Sequence, residues 1–170
     1  DYRDIESLHY FTELTETGRL TPEYMMKCLM LRSRDNARTP MQWDTSASAG
    51  FTTGEPWIKV NPNYQQINAA DQLKDPDSVF HYYQELIRLR HTLPIIVYGK
   101  FQGLLEDSET IYAYKRILDG QVLTVACNFT DQEQDCVLCE DPAAEELISN
   151  YKGHKAGKLQ PYEARVILHK

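Results

Sequence analysis

The spacing of apolar residues changes at Pro94, and that change limits the folds open to this chain. Upstream of it, apolar side chains recur at helical spacing; from residue 95 onward they alternate. Helices first and strands afterwards do not interleave into a parallel α/β sheet. The order predicts an α+β chain in two parts, residues 1–94 helical and loop-rich, residues 95–170 an antiparallel, sandwich-like sheet.

In the first part, residues 1–37 read as helical and amphipathic, and Thr21-Pro22-Glu23 marks a helix start. Tyr24, Met25, Cys28, Leu29 and Leu31 supply its apolar positions, a stripe expected to pack as core. A second helix is predicted over 75–93, with Asp75 as cap, Pro76 in the first turn and Pro94 as the stop. Its stripe is Val79, Tyr83, Leu86 and Leu93, widened by Phe80, Tyr82 and Ile87. Between them, residues 34–64 hold no useful period, yet Trp43, Phe51, Trp57 and Tyr64 are spread through the stretch. A long irregular loop with aromatics packs on something or lines a site.

In the second part, Thr110 to Leu118 and Gln121 to Phe129 alternate around Asp119-Gly120, a hairpin signature. Further strands are predicted at 95–98, 100–105, 136–139, 146–149 and 158–168.

The remaining composition narrows the function. The chain has 170 residues and a net charge of −7, without a Lys/Arg cluster, which argues against nucleic-acid binding. No apolar run approaches the roughly 18 residues of a membrane span. Cys136 and Cys139 stand at C-x-x-C spacing. On the predicted strand they would face opposite ways, and no second pair completes a zinc site, so a structural role is expected. Four sparse cysteines fit reduced thiols in the cytoplasm. No nucleotide-binding, serine-hydrolase or zinc-protease motif is present. No cofactor or metal is expected. The Asn-Phe-Thr triplet at Asn128 fits a glycosylation site but has no meaning in the cytoplasm.

The candidate chemistry lies in 34–44. Arg34, Asp35, Asn36 and Arg38 sit within five residues, followed by Pro40 and Trp43. Guanidinium forks bind vicinal hydroxyls or carboxylates, and aromatic faces stack on sugar rings. The plainer alternative is a structural Arg34–Asp35 ion pair that pins the loop.

The blocks RDNARTPMQWD at 34–44 and AGFTTGEPWIKVNPNY at 49–64 are specific enough to identify a relationship. They resemble the oligo-1,6-glucosidase group of the α-amylase superfamily, glycoside hydrolase family 13. The likeness continues in YRDIES at 2–7, SVFHYYQELIRLR at 78–90, IYAYKR at 111–116 and QPYEARVIL at 160–168. It implies a (β/α)8 barrel followed by an antiparallel β domain. A barrel takes about 250 residues, so the resemblance implies that 1–94 is the end of the barrel (the excursion after its eighth strand and its last helix) and 95–170 the C-terminal β domain. The start at Asp1, without a signal segment, is expected of a piece of a longer protein.

What the resemblance implies for activity follows. Such enzymes are retaining glycosidases with an Asp nucleophile and a Glu acid/base. The blocks carrying those carboxylates are not found in this chain, so no catalytic residue is assigned here, and the chain by itself is expected to be inactive. Arg38 of Arg-Thr-Pro matches a substrate-binding arginine at the subsite of the cleaved bond. Trp43 and Asp44 are assigned to loop support. The parent enzyme is expected to hydrolyse terminal α-1,6 or α-1,4 bonds of gluco-oligosaccharides. Trehalose-6-phosphate hydrolase is the alternative within the group; a carbohydrate-binding or structural β module, with Tyr112 and Tyr114 as a stacking face, is the alternative outside it. Expected partners are the sugar substrate and the protein's own barrel, and the uncovered piece is expected to self-associate.

Overall fold

The computed structural model describes residues 2–170. It divides into two compact units, one up to His81 and one spanning Tyr82–Lys170. Among the described residues, no helix is long and apolar enough to cross a membrane.

The first unit opens with α1 (Ile5–Glu16). Its N-cap is Asp4, whose carboxylate accepts the Ser7 N–H, and Glu6 favours the positive end of the helix dipole. Residues 1–37 are therefore not one helical stretch. The chain leaves α1 at Thr17 and passes through Gly18 at φ +69°, and α2 (Pro22–Arg32) starts afresh on the Thr21 cap. Met25 and Leu29 of α2 are buried, whereas Tyr24, Met26, Met30 and Leu31 remain exposed, so only part of the expected stripe packs within the chain. The irregular region holds three short 3-10 turns, Arg34–Ala37, Ala47–Gly50 and Pro62–Gln65, and then α3 (Ala69–Gln72). Backbone and side-chain bonds tie it together. Asp44 accepts from Ser46, the N–H groups of Ala69 and Ala70 reach the carbonyls of Gln42 and Trp43, and buried Asn68 caps α3.

Helix α4 (Val79–Thr92) begins four residues later than the sequence predicts. Asp75 does not cap it; its carboxylate accepts the Asp77 N–H in a local turn, and Ser78 Oγ takes the His81 N–H instead. Leu89 is its buried residue, while Val79 and Tyr83 are exposed. The segment 95–98 is not a strand. Pro94, which stops α4, is also pre-organised for a first helical turn, and α5 (Pro94–Tyr98) follows.

The second unit is built on a five-stranded antiparallel sheet. Its strands are β1 (Lys100–Leu104), β2 (Ile111–Leu118), β3 (Gln121–Asn128), β5 (Glu145–Ser149) and β7 (Ala164–His169), in the order β1-β2-β3-β7-β5. A small sheet pairs β4 (Gln134–Asp135) with β6 (Lys158–Leu159). The predicted hairpin forms in register, Ile111 opposite Asn128 and Leu118 opposite Gln121. Asp119 and Gly120 both take positive φ, 49° and 82°, as the two-residue turn requires. The predicted strand 158–168 is interrupted between β6 and β7.

Core forms on both faces of the sheet. One cluster holds Ile111, Ala113, Ala126, Leu159 and Ile167 together with Cys136 and Cys139; the other holds Ile95, Leu123, Val125 and Leu168. Cys136 and Cys139 thus do not lie on a strand with opposed faces. They follow β4 in a turn that tucks both thiols into one cluster. Burial pushes both thiols up, Cys139 to about 12. A redox pair needs the opposite shift. Asn128 is buried, with Nδ2 donating to the carbonyls of Gln132 and Gln160 and Oδ1 accepting from Thr130. Its amide nitrogen is committed to loop structure. Near β7, fully buried Glu163 accepts the Gln160 N–H and lies 2.9 Å from His154, whose other ring nitrogen is 2.7 Å from Glu146. Tyr112 and Tyr114 share a face of β2 with Phe101 beside them, ring centroids 5.7 and 5.3 Å apart, and Tyr112 is exposed.

Candidate functional site

Two segments 26 to 34 residues apart build the site, both in the first unit. The α1 cap contributes Asp4 and Ser7; the 3-10 turn after α2 contributes Ser33, Arg34, Asp35 and Arg38. Ser33 ends α2 and accepts the Asp35 N–H on its own side chain, which turns the backbone tightly at this point. That turn aims the Asp35 carboxylate back at the start of α1. Its Oδ2 accepts the N–H groups of Arg3 at 2.6 Å and Asp4 at 2.8 Å. The Ser7 and Ser33 hydroxyls meet at 2.8 Å and complete a buried polar chain from Asp4 to Asp35.

Two guanidinium groups neutralise the two carboxylates. Arg34 Nη2 lies 2.6 Å from Asp4 Oδ1. Arg38 Nη2 lies 2.5 Å from Asp35 Oδ1 and 3.3 Å from Asp4 Oδ1. The structural pair suggested for Arg34 and Asp35 is therefore not the one formed. Successive residues on a tight turn point away from each other, so Arg34 reaches Asp4 while Asp35 takes Arg38 across one turn. Asn36, to which the sequence assigned no contact, donates to the carbonyls of Leu29 and Met30 and closes the end of α2.

Burial by itself would raise the Asp4 and Asp35 carboxyls, since each side chain is only 4% exposed. Hydrogen bonds outweigh it. The Ser7 N–H and hydroxyl with Arg34 hold Asp4 below the usual carboxylate value, and the Arg3 and Asp4 N–H groups with Arg38 do the same for Asp35. Both acids stay ionised at neutral pH with their oxygens committed to donors. Their chemistry is to hold cations in place, not to transfer protons.

Arg38 is the member that faces outward. Its side chain is 39% exposed, and its Nη2 edge is anchored by both carboxylates. The Nε and Nη1 donors make no bond to the protein among the described residues. The indole of Trp57 lies against the guanidinium, 5.2 Å from ring centroid to carbon. Trp57 itself is 58% exposed, beside buried Ile58. Sequence reasoning singled out Arg38, and Trp57 as one of the aromatics of a loop that packs on something or lines a site, but missed Asp4, Ser7 and Ser33 as the surroundings of Arg38. The only signal for Asp4 and Ser7 was membership of the YRDIES block, and Ser33 lies just outside the RDNARTPMQWD block. Among the described residues, no group of three or more His, Cys, Asp or Glu side chains is arranged to hold a metal.

Comparison with known proteins identifies the family. The family described as the catalytic domain of alpha amylase matches residues 6–99, more than half of the chain. The oligo-1,6-glucosidase of Halalkalibacterium halodurans is 46% identical over 179 residues, covering 99% of this chain and 31% of that enzyme. The trehalose-6-phosphate hydrolase of Escherichia coli is 48% identical, covering 96% of this chain and 30% of that protein. Among solved structures, the trehalulose synthase of Pseudomonas mesoacidophila superposes with a TM-score of 0.89 at 40% identity, covering 98% of this chain and 31% of the other. The chain thus spans about a third of the relatives it matches, and the part spanned is the C-terminal part of glycoside hydrolases. On the extent of the family match and on near-complete coverage by these relatives, the chain belongs to the α-amylase family.

Proposed function

We propose that the chain is the C-terminal third of an α-glucosidase that hydrolyses terminal α-1,6 or α-1,4 bonds of short gluco-oligosaccharides. The retaining carboxylate pair lies in the part of the protein outside this chain. Residues 1–94 complete the barrel, and residues 95–170 form its β domain. Arg38 binds substrate hydroxyls at the subsite of the cleaved bond. The observation that carries the reading is the state of that guanidinium: one edge pinned by buried carboxylates, three donors free among the described residues, one aromatic wall. A pre-oriented fork of this kind suits a polyhydroxylated ring. The partners in this reading are the oligosaccharide and the rest of the barrel, which would cover the exposed stripe of α2 and α4. A cytoplasmic location accords with four free cysteines. No nucleic-acid or membrane partner is proposed.

The test uses the whole protein. Arg38→Ala should lower kcat/KM on isomaltose by roughly a hundredfold, the scale of a lost positioning contact. Unchanged kcat/KM would overturn the assignment of Arg38. A second reading, trehalose-6-phosphate hydrolase, is favoured by the 48% identity to the Escherichia coli enzyme. A preference of the whole protein for trehalose 6-phosphate over isomaltose would establish it instead.

A further inference from the structure

The Trp57 indole lies on the Arg38 guanidinium in the same unit, and nothing in the carboxylate network requires it there. The network spends only Nη2, whose two hydrogens go to Asp35 and Asp4. A guanidinium held by one nitrogen can still tilt about that edge. The Trp57 ring, with the guanidinium carbon 5.2 Å over its centroid, limits this freedom and narrows the orientations in which Nε and Nη1 present their hydrogens. Trp57 is exposed and contributes little to the core, whereas its neighbour Ile58 is buried and anchors the loop. The residue is thus carried to Arg38 on an anchored segment and left otherwise uncovered.

We infer that Trp57 is a positioning residue for the substrate-binding edge of Arg38. This rests on the reading of Arg38 as the substrate-binding group. Trp57 acts through Arg38, by orienting the fork and by excluding water from one of its faces. Any planar aromatic retains part of the effect; an aliphatic side chain does not. Asp35 and Trp57 have separate duties here: the carboxylate sets where the guanidinium is, and the indole sets how it is turned.

A double-mutant cycle in the whole protein tests this. Trp57→Ala should lower kcat/KM on isomaltose by about tenfold, Trp57→Phe should recover most of that loss, and Trp57→Ala should add little in an Arg38→Ala background. Full additivity of the two substitutions, or an unchanged kcat/KM in Trp57→Ala, overturns the inference while leaving Arg38 in place. An unchanged kcat/KM in Arg38→Ala overturns the underlying reading instead. The 170-residue chain offers an independent readout. The Arg38 Nε–H resonance should carry a ring-current shift that vanishes in Trp57→Ala and persists in Trp57→Phe. Absence of any shift in the parent chain also overturns the inference.

Discussion

Replacing Gly99 by Ala is predicted to destabilise the β unit strongly, although the backbone at this position suits any residue. Gly99 follows α5 with φ −60° and ψ 139°, ordinary extended values. What the position lacks is space. An added Cβ would lie 2.4 Å from the Ile95 carbonyl oxygen, 3.0 Å from Arg116 Cβ and 3.1 Å from Ile95 Cγ1. A carbon–oxygen contact ordinarily settles near ~3.3 Å, so the turn must open by about 0.9 Å. Two bonds resist that movement: the Gly99 N–H to Ile95 O at 3.0 Å, and Arg116 Nη1 to Gly99 O at 3.1 Å. Overpacking costs about 1–3 kcal/mol, and weakening one such hydrogen bond adds about 1 kcal/mol. A total near ~3 kcal/mol corresponds to a fall of about 12–24 °C in Tm for a unit of this size. Calorimetry on the 170-residue chain reads it, with two glycine controls. Gly153 has open space and no positive φ, so Gly153→Ala should be neutral or stabilise by about 0.4–1 kcal/mol. Gly120 has open space but φ +82°, so Gly120→Ala should cost about 1–2 kcal/mol from backbone strain alone. A Gly99→Ala Tm within 2 °C (on the order of the ~0.5 kcal/mol seen for neutral surface changes) would refute the spatial argument, as would a larger loss at Gly120.

Four further outcomes are expected. The Asp4 and Asp35 carboxyls are lowered in the folded chain, so the unfolded chain takes up protons first as pH falls; their stabilisation is complete above the ordinary carboxylate range and disappears below it. Urea midpoints followed from pH 6 down through roughly 3 should therefore decline, and decline less steeply in Asp35→Asn; parallel curves would contradict this. His154→Ala deprives fully buried Glu163 of its ring partner and should cost about 1–3 kcal/mol, seen as faster amide exchange at Gln160, whose N–H the same carboxylate accepts. The exposed Met26, Met30, Leu31, Val79 and Tyr83 should make the 170-residue chain self-associate, and a concentration-independent monomer in sedimentation would count against that. The chain alone should not hydrolyse p-nitrophenyl α-glucoside; Arg38-dependent turnover would show that the carboxylates are not needed from elsewhere.

The parts of the fold legible in the sequence were those specified by neighbours. The Asp119-Gly120 hairpin formed in the predicted register because its turn chemistry and alternation agree within one stretch of chain. Thr21-Pro22 started α2 for the same reason. The errors arose where a local signal has two outcomes. Pro94 both ends a helix and opens one, and the continuous apolar run Ile95-Ile96-Val97-Tyr98 could not say which. Asp75-Pro76-Asp77 can begin a helix or make a turn that delays it, and Ser78 decided the matter by taking the cap. Cys136 and Cys139 read as a strand because β4 stops at Asp135, a boundary set by pairing with Lys158 and not by anything nearby.

The site shows the same division more sharply. Arg38 was found through its motif, but the group that makes it useful comes from elsewhere. Asp4 looks like an ordinary helix cap, and capping alone would satisfy one of its oxygens: Oδ2 takes the Ser7 N–H and hydroxyl. It is Oδ1 that receives both Arg34 and Arg38. Asp35 likewise divides its oxygens, Oδ2 to the α1 backbone and Oδ1 to Arg38. Each carboxylate thus joins a backbone task to a guanidinium task, and the geometry of α1 entry fixes the position of Arg38. Any change that shifts the start of α1 should therefore move the guanidinium of Arg38 with it.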